Sequence, residues 1–304
     1  MHSAHDSQRP ALGIMSMLLS VLLFATMDSL VKWLSAGYPT YQIMFFRSAV
    51  ALLPVSFFIA RAGGISVLRT RRPWLHLFRS CIGVSAMGCA FTGIARLPLA
   101  DAMAIFHSAP ILMTVLSIPL LKEKVGIRRW MAVLVGFMGV LMVVKPGTEV
   151  FSSGAIFMVA AAFAVGLGSN IIRVLSKTED PACITFYFTF AATIVSAILS
   201  LYYGWAMPPA GDLLLLMAVG VLGGCAQYFM TVSFKHAEVG LVSPLKYIMI
   251  VIGGIFGYLF WSEVPDALSL SGILVIIASG VYTMHREATL SRVNVLRAVP
   301  DPAR

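Results

Sequence analysis

Among the ionisable side chains inside or beside otherwise apolar runs are Asp28, Lys32, Arg47, Arg79, His107, Glu123, Lys246 and Glu263. In hydrocarbon each is costly, and residues retained there mark solute paths, proton relays or ion pairs. Asp28 is the candidate for a protonatable coupling group, with His107 as a second candidate relay. Arg47 and Lys246 suit a carboxylate. Phe46, Tyr187 and Tyr228 could stack on a planar solute, and Gln227 could supply a polar contact. A structural reading stands open beside each. Lys32 follows Asp28 by four residues, so it can pair with it or snorkel to the interface. Asp28 can cap a neighbouring helix, Arg47 can tie helix ends through carbonyls, and Lys246 can snorkel to headgroups. His107 and the aromatics can be packing residues. Glu123 and Glu263 each precede an apolar run, where a carboxylate accepts from the free N–H groups of a helix start.

These residues need elements to position them, and composition says which. The chain has 304 residues, of which 59% are hydrophobic and 12% charged. Soluble domains carry about 25% charged residues, so this is a polytopic membrane protein. Crossing roughly 30 Å of hydrocarbon takes about 20 apolar residues. Ten such runs are legible, at 12–34, 40–60, 74–95, 99–121, 128–145, 154–174, 182–203, 213–234, 240–261 and 267–284. Lipid cannot satisfy exposed backbone groups, so the runs are helices and the fold is all-α. Met1 to Pro10 and Ser291 to Arg304 read as disordered tails, and no cleavable signal is evident.

The net charge of +9 matters less than its placement. Arg9, Arg61, Arg69, Arg71, Arg72, Lys122, Lys124, Arg128, Arg129, Arg173, Lys177, Lys235, Arg286, Arg292, Arg297 and Arg304 fall on one side. Only Lys32, Arg96 and Lys145 fall on the other. The positive-inside rule then puts both termini in the cytoplasm, which for a bacterial chain means the inner membrane.

Leu97 to Pro146 recurs as His236 to Arg286, with Glu123 and Glu263 in register at an offset of 140. Gly83 coincides with Gly223 at the same offset, in small-residue stripes that read as packing surfaces. The expected halves are 12–146 and 150–286, flanked by tails 1–11 and 287–304. Five spans is an odd number, so the repeats are inserted in opposite senses: ten transmembrane helices as two inverted five-helix repeats. That is the plan of secondary transporters, with substrate held near the midplane by interrupted helices. Pro110 and Pro244 interrupt the fourth and ninth runs at matched depths. Gly253 and Gly257 give a GxxxG spacing, for packing within the bundle or for dimerisation.

Cys81, Cys89, Cys183 and Cys225 lie within spans and form no CxxC pair, which predicts buried reduced thiols and no metal site. No cofactor is expected. The expected partners are a small-molecule substrate and membrane lipids, not nucleic acid, with the protein a monomer or homodimer. An enzyme is not expected, because HExxH, GxSxG, clustered carboxylates and a phosphate loop are all missing. An intramembrane enzyme remains a remote alternative. A scaffold would not need Asp28, Arg47, Arg79 and Lys246 within its spans.

From Gly13 to Arg286 the chain resembles the drug/metabolite transporter superfamily, specifically the EamA-type ten-helix family. The resemblance rests on the two five-helix halves, Phe46 and Arg47, the run Ala95-Arg96-Leu97-Pro98, Pro110 and Pro244, Glu123 and Glu263, Gly136-Phe137-Met138-Gly139, and Lys145-Pro146. Arg72-Pro73-Trp74-Leu75-His76, the segment Arg129 to Pro146 and Pro244-Leu245-Lys246-Tyr247 are similar to bacterial riboflavin and S-adenosylmethionine carriers. Lys246 stands where the latter would show an arginine. The resemblance implies a central cavity, alternating access and no ATPase partner. The expected function is inner-membrane transport of a small polar or aromatic metabolite, foremost a riboflavin-like vitamin. The alternatives are S-adenosylmethionine uptake and amino-acid or metabolite export.

Overall fold

A computed structural model describes residues 10–109, 127–145, 153–237 and 242–298. Among them are ten α-helices and no strand: α1 Pro10–Leu34, α2 Thr40–Ala62, α3 Pro73–Ile94, α4 Leu99–Phe106, α5 Ile127–Val144, α6 Ser153–Leu175, α7 Pro181–Tyr203, α8 Ala210–His236, α9 Ile248–Trp261 and α10 Ala267–Ala298. Short 3-10 turns, Gly64–Leu68 and Ser243–Tyr247, precede α3 and α9. Helix starts follow proline chemistry. Pro73 and Pro181 open α3 and α7, and Pro39, Pro98 and Pro209 stand just before α2, α4 and α8, where a missing N–H removes nothing the helix would use.

Six helices, α1, α2, α3, α6, α7 and α8, are long and apolar enough to cross a membrane, and shorter apolar helices lie in the α5, α9 and α10 regions. Large apolar side chains such as Leu22, Phe57, Phe78, Ile198 and Leu259 face outward. Polar ones such as Ser16, Ser20, Gln42, Thr189 and Thr231 are turned in. That arrangement suits hydrocarbon as the solvent.

The halves are interleaved. α1 packs on α8 and α6 on α3, α2 on α7, α4 on α9 and α5 on α10. Every helix therefore finds its main partner in the other half. Close approaches are made over small residues. A Cβ on Gly139 would stand 2.9 Å from the Gly272 carbonyl oxygen, and one on Gly272 would stand 2.7 Å from that of Gly139. Gly253 and Gly257 pack within the chain, against Met103 and Leu99 of α4.

Three expectations change. The fourth run leaves the α-helix after Phe106, and the ninth begins as a 3-10 turn with Pro244 in its first positions. Helix α10 continues to Ala298, past the start of the expected tail, because nothing from His285 to Ala298 is Gly or Pro. Cys81 is exposed on the outside of α3, and Cys89 and Cys225 are half-buried. Pro110, Glu123 and the tails 1–9 and 299–304 lie outside the described residues.

Candidate substrate-binding site

A cavity of about 1040 Å³, its open mouth included, runs between the halves. Its wall is drawn from α1, α2, α3, α4, α6, α7, α8, α9 and the 3-10 turn before α9. Most of it is apolar, with Met17, Met27, Met87, Met103, Met158, Met230 and Met249 beside Phe24, Phe91, Phe106 and Phe188. Into it project Asp28, Arg47, Arg79, His107, Gln227 and Lys246. Among the described lining residues Asp28 is the one carboxylate, beside three basic side chains, Arg47, Arg79 and Lys246.

The two arginines converge on one ring. Arg47 comes from α2 and Arg79 from α3, and their guanidinium carbons lie 5.3 Å and 4.3 Å from the centroid of Phe188 on α7. A ring face stabilises a cation by about 0.5–2 kcal/mol. It satisfies no N–H, however. Nε and Nη1 of Arg47 and Nε of Arg79 are buried without a hydrogen-bond partner among the described residues. Two glycines make room for these side chains. A Cβ on Gly83 would fall 2.0 Å from Arg79 Nη1 and 2.8 Å from Phe188, and one on Gly223 would fall 3.0 Å from Arg47 Nε and 2.8 Å from the Met27 sulfur. The stripes read as packing surfaces thus house the cavity's cations.

Asp28 does not pair with Lys32. It interacts electrostatically with Arg47, which lines the same cavity. Lys32, one turn later, instead donates to Glu263 and, at 2.9 Å, to the Leu97 carbonyl. Glu263 in turn accepts at 2.9 Å from the Leu99 N–H. It therefore caps α4, not the helix that follows it. The first turn of α10 is capped by Asp266, which accepts from Ser269 N–H at 2.8 Å. These contacts gather α1, α4 and the α9–α10 loop at the top of the bundle, the end at which α1 finishes.

His107 follows the last residue of α4, its Nδ1 2.9 Å from the Met103 carbonyl oxygen. Lys246 lies in the 3-10 turn with its Nζ 4.8 Å from the Phe234 ring centroid. The helix breaks at His107 and Lys246 thus stand at matching places in the two halves and line one cavity. Gln227 is buried on its wall.

Phe46, Tyr187 and Tyr228 are not among the lining residues. Phe46 packs on Phe45 and Trp205. Tyr228 stacks on Phe58 with centroids 3.7 Å apart. Tyr187 meets His76 and donates at 2.9 Å to the Leu68 carbonyl. The ring that faces the cavity on α7 is Phe188, one residue on from Tyr187. The sequence offers Phe186, Tyr187 and Phe188 together as stacking aromatics and does not say which of them faces inward; Arg79 stands out there only as a charge within a span, although Arg79 and Gly83 are spaced to share one helix face.

An EamA-like transporter family model matches residues 11–145 and again 152–284. The chain belongs to the EamA-like transporter family. This EamA-like protein is thus a multi-pass membrane transporter of a bacterial family, built of repeated halves. It is 36% identical over 272 residues to the pseudopaline exporter CntI of Pseudomonas aeruginosa, covering 88% of this chain and 94% of that one. It is 28% identical to an S-adenosylmethionine uptake transporter of Rickettsia felis, covering 90% and 93%. To a riboflavin transporter of Rhizobium johnstonii it is 26% identical, covering 95% and 96%. A crystal structure covering 92% of the chain and 98% of its own superposes with a TM-score of 0.66 at 18% identity, a likeness of fold.

Proposed function

We propose that this EamA-like transporter carries a small, amino-acid-derived solute with a free carboxylate by alternating access. Its carboxylate docks on Arg47 and Arg79, with both termini of the protein on the cytoplasmic side of the inner membrane. The observation behind this reading is the set of guanidinium N–H groups that, among the described residues, are buried without partners in a cavity where the basic side chains outnumber the one acid. A buried unsatisfied donor costs about 1–3 kcal/mol, more when charged. A carboxylate relieves that cost with the planar two-point geometry a guanidinium offers. Lys246 adds a third cation, Gln227 a neutral polar contact, and Asp28 a place for a substrate amine or a coupling proton. His107, at the α4 break, is a second proton carrier in this scheme. The relatives whose names are pseudopaline exporter and S-adenosylmethionine uptake transporter are in keeping with such a cargo.

A riboflavin-like planar solute is the second reading. It is favoured by the four phenylalanines of the wall and by the name of the Rhizobium relative. The deciding experiment is uptake into proteoliposomes of labelled S-adenosylmethionine, aspartate, phenylalanine and riboflavin, by wild type, Arg47→Gln and Arg79→Gln. Saturable transport of a carboxylate-bearing solute, with KM raised about 10- to 100-fold in either variant, is the expected result. Riboflavin transport with an unchanged KM in both variants would replace the first reading with the second.

A further inference from the structure

At the base of the bundle, where α1 begins, a second cluster of buried polar groups takes no part in the cavity. His76 in the first turn of α3, Glu179 in the α6–α7 loop and Cys183 in the first turn of α7 each present one donor atom, and the three atoms lie within 4.8 Å of one another. His76 Nε2 is 3.8 Å and Cys183 Sγ 3.6 Å from the same oxygen, Glu179 Oε2. Tetrahedral coordination with bonds of about 2.0–2.3 Å puts neighbouring donors roughly 3.3–3.8 Å apart. Two of the three separations are therefore already near that range.

The surroundings point the same way. His76 is 2% exposed, and neither of its ring nitrogens has a hydrogen-bond partner among the described residues. Such a histidine is costly unless something else takes up the lone pair. The other oxygen of Glu179, Oε1, accepts from Thr70 Oγ1 at 2.7 Å and from Arg71 N–H at 3.4 Å. Outer hydrogen bonds of this kind fix a carboxylate ligand and aim its other oxygen, which accepts from the Cys183 thiol at 3.6 Å, at the cluster. Imidazole, carboxylate and thiol together form a donor set for zinc and the neighbouring divalent transition metals, and a poor one for magnesium or calcium.

We propose that His76, Glu179 and Cys183 bind one divalent transition-metal ion of the zinc class, joining the base of α3 to the base of α7. On binding, the Cys183 S–H bond breaks, the proton leaves to solvent, and the thiolate pair forms the bond to the metal; no electron is transferred. A fourth position stays open for water. The ion clamps the two helices that carry Arg79 and Phe188 into the cavity. The site is separate from the cavity and does not depend on what the cavity carries.

The test is titration of the purified, reduced, chelator-treated full chain in detergent with Co²⁺, reading the thiolate-to-cobalt charge-transfer absorption and the stoichiometry. One Co²⁺ per chain, displaced by Zn²⁺, is expected. The band should survive replacement of Cys81, Cys89 and Cys225 by Ser, vanish in Cys183→Ser, and need about tenfold more Co²⁺ in Thr70→Val. Absence of the band in wild type, its loss in the triple serine variant, or its full retention in Cys183→Ser would each overturn the proposal. Should Cys183→Ser fail to fold, the triple variant and Thr70→Val still decide.

Discussion

Gly83 and Gly223 show how little space separates a usable binding site from a blocked one. Adding one methyl group at Gly83 drives it into the Arg79 guanidinium and Phe188, and at Gly223 into the Met27 sulfur, with Arg47 Nε in tight contact. Gly83→Ala is expected to raise KM for a carboxylate substrate and to lower the thermal midpoint, since overpacking a closed site costs about 1–3 kcal/mol. Transport assays beside a melting curve check this, and an unaltered KM and midpoint would mean that Arg79 has somewhere else to go. Asp28 carries a different expectation. If it is the proton-coupling group, Asp28→Asn should abolish accumulation of substrate against its gradient while leaving exchange of internal for external substrate intact. Accumulation at wild-type level would remove it from that role.

At this scale the sequence was partly legible. Charges in apolar runs announced Arg47, Lys246, Asp28 and His107, because a charge in hydrocarbon is costly wherever it points. Aromatics announced nothing comparable. Tyr187 and Phe188 are chemically similar and adjacent, and only the rotation of α7 decides which faces the cavity. The His76, Glu179 and Cys183 cluster was invisible, since His76 is brought to the locally paired Glu179 and Cys183 only by the packing of α3 on α7.

Among the elements, the top of the bundle is held by a pair whose partners come from opposite halves. Lys32 is nearly buried and Glu263 about a quarter exposed. Removing one partner strands a desolvated charge, whereas removing both need not. Glu263→Leu should therefore destabilise the protein by about 1–3 kcal/mol, with the N-terminus of α4 also losing its cap. The double variant Lys32→Met with Glu263→Leu should recover part of that loss in a thermal double-mutant cycle. Strict additivity would show that the two groups act independently.

Asp266 at the start of α10 gives the element a pH signature. The hydrogen bond from the paired Lys145, followed by that from Ser269 N–H, holds its carboxyl down at about 2. A folded-state value below the ordinary carboxylate range means that ionised Asp266 favours the fold. Its contribution is present above about pH 4 and is lost as pH falls towards 2. Asp266→Asn is expected to flatten that acid limb of the stability profile and to leave the profile above neutrality unchanged. An acid limb as steep as that of wild type would assign the dependence to other carboxylates.

Element boundaries were legible where lipid dictates them. The expected starts of α2, α3, α4 and α7 lie within one residue of the observed ones, because prolines and the apolar length rule coincide there. The break before α9 was signalled by Pro244, but its 3-10 form was not. Glu263 was expected at a helix start, and it caps one; that the helix is α4 depends on tertiary packing that local sequence does not encode.

For the molecule as a whole, interleaving means that neither half has a complete interior. Residues 1–145 and 153–304, expressed as separate chains, should each be degraded when alone and should co-purify with restored transport when made together. A single half that is monodisperse and protease-resistant by itself would contradict the pairing of each helix with the opposite repeat. The same pairing governs how the protein is made. The face of α1 that bears Ser20 is closed by α8, where the serine hydroxyl donates at 2.8 Å to the Ala226 carbonyl. At about 5–20 residues per second, α8 reaches the membrane on the order of ten seconds after α1. For that interval the early helices hold unmatched polar groups in lipid, so the membrane-insertion machinery must shelter a half-built carrier until its second half arrives.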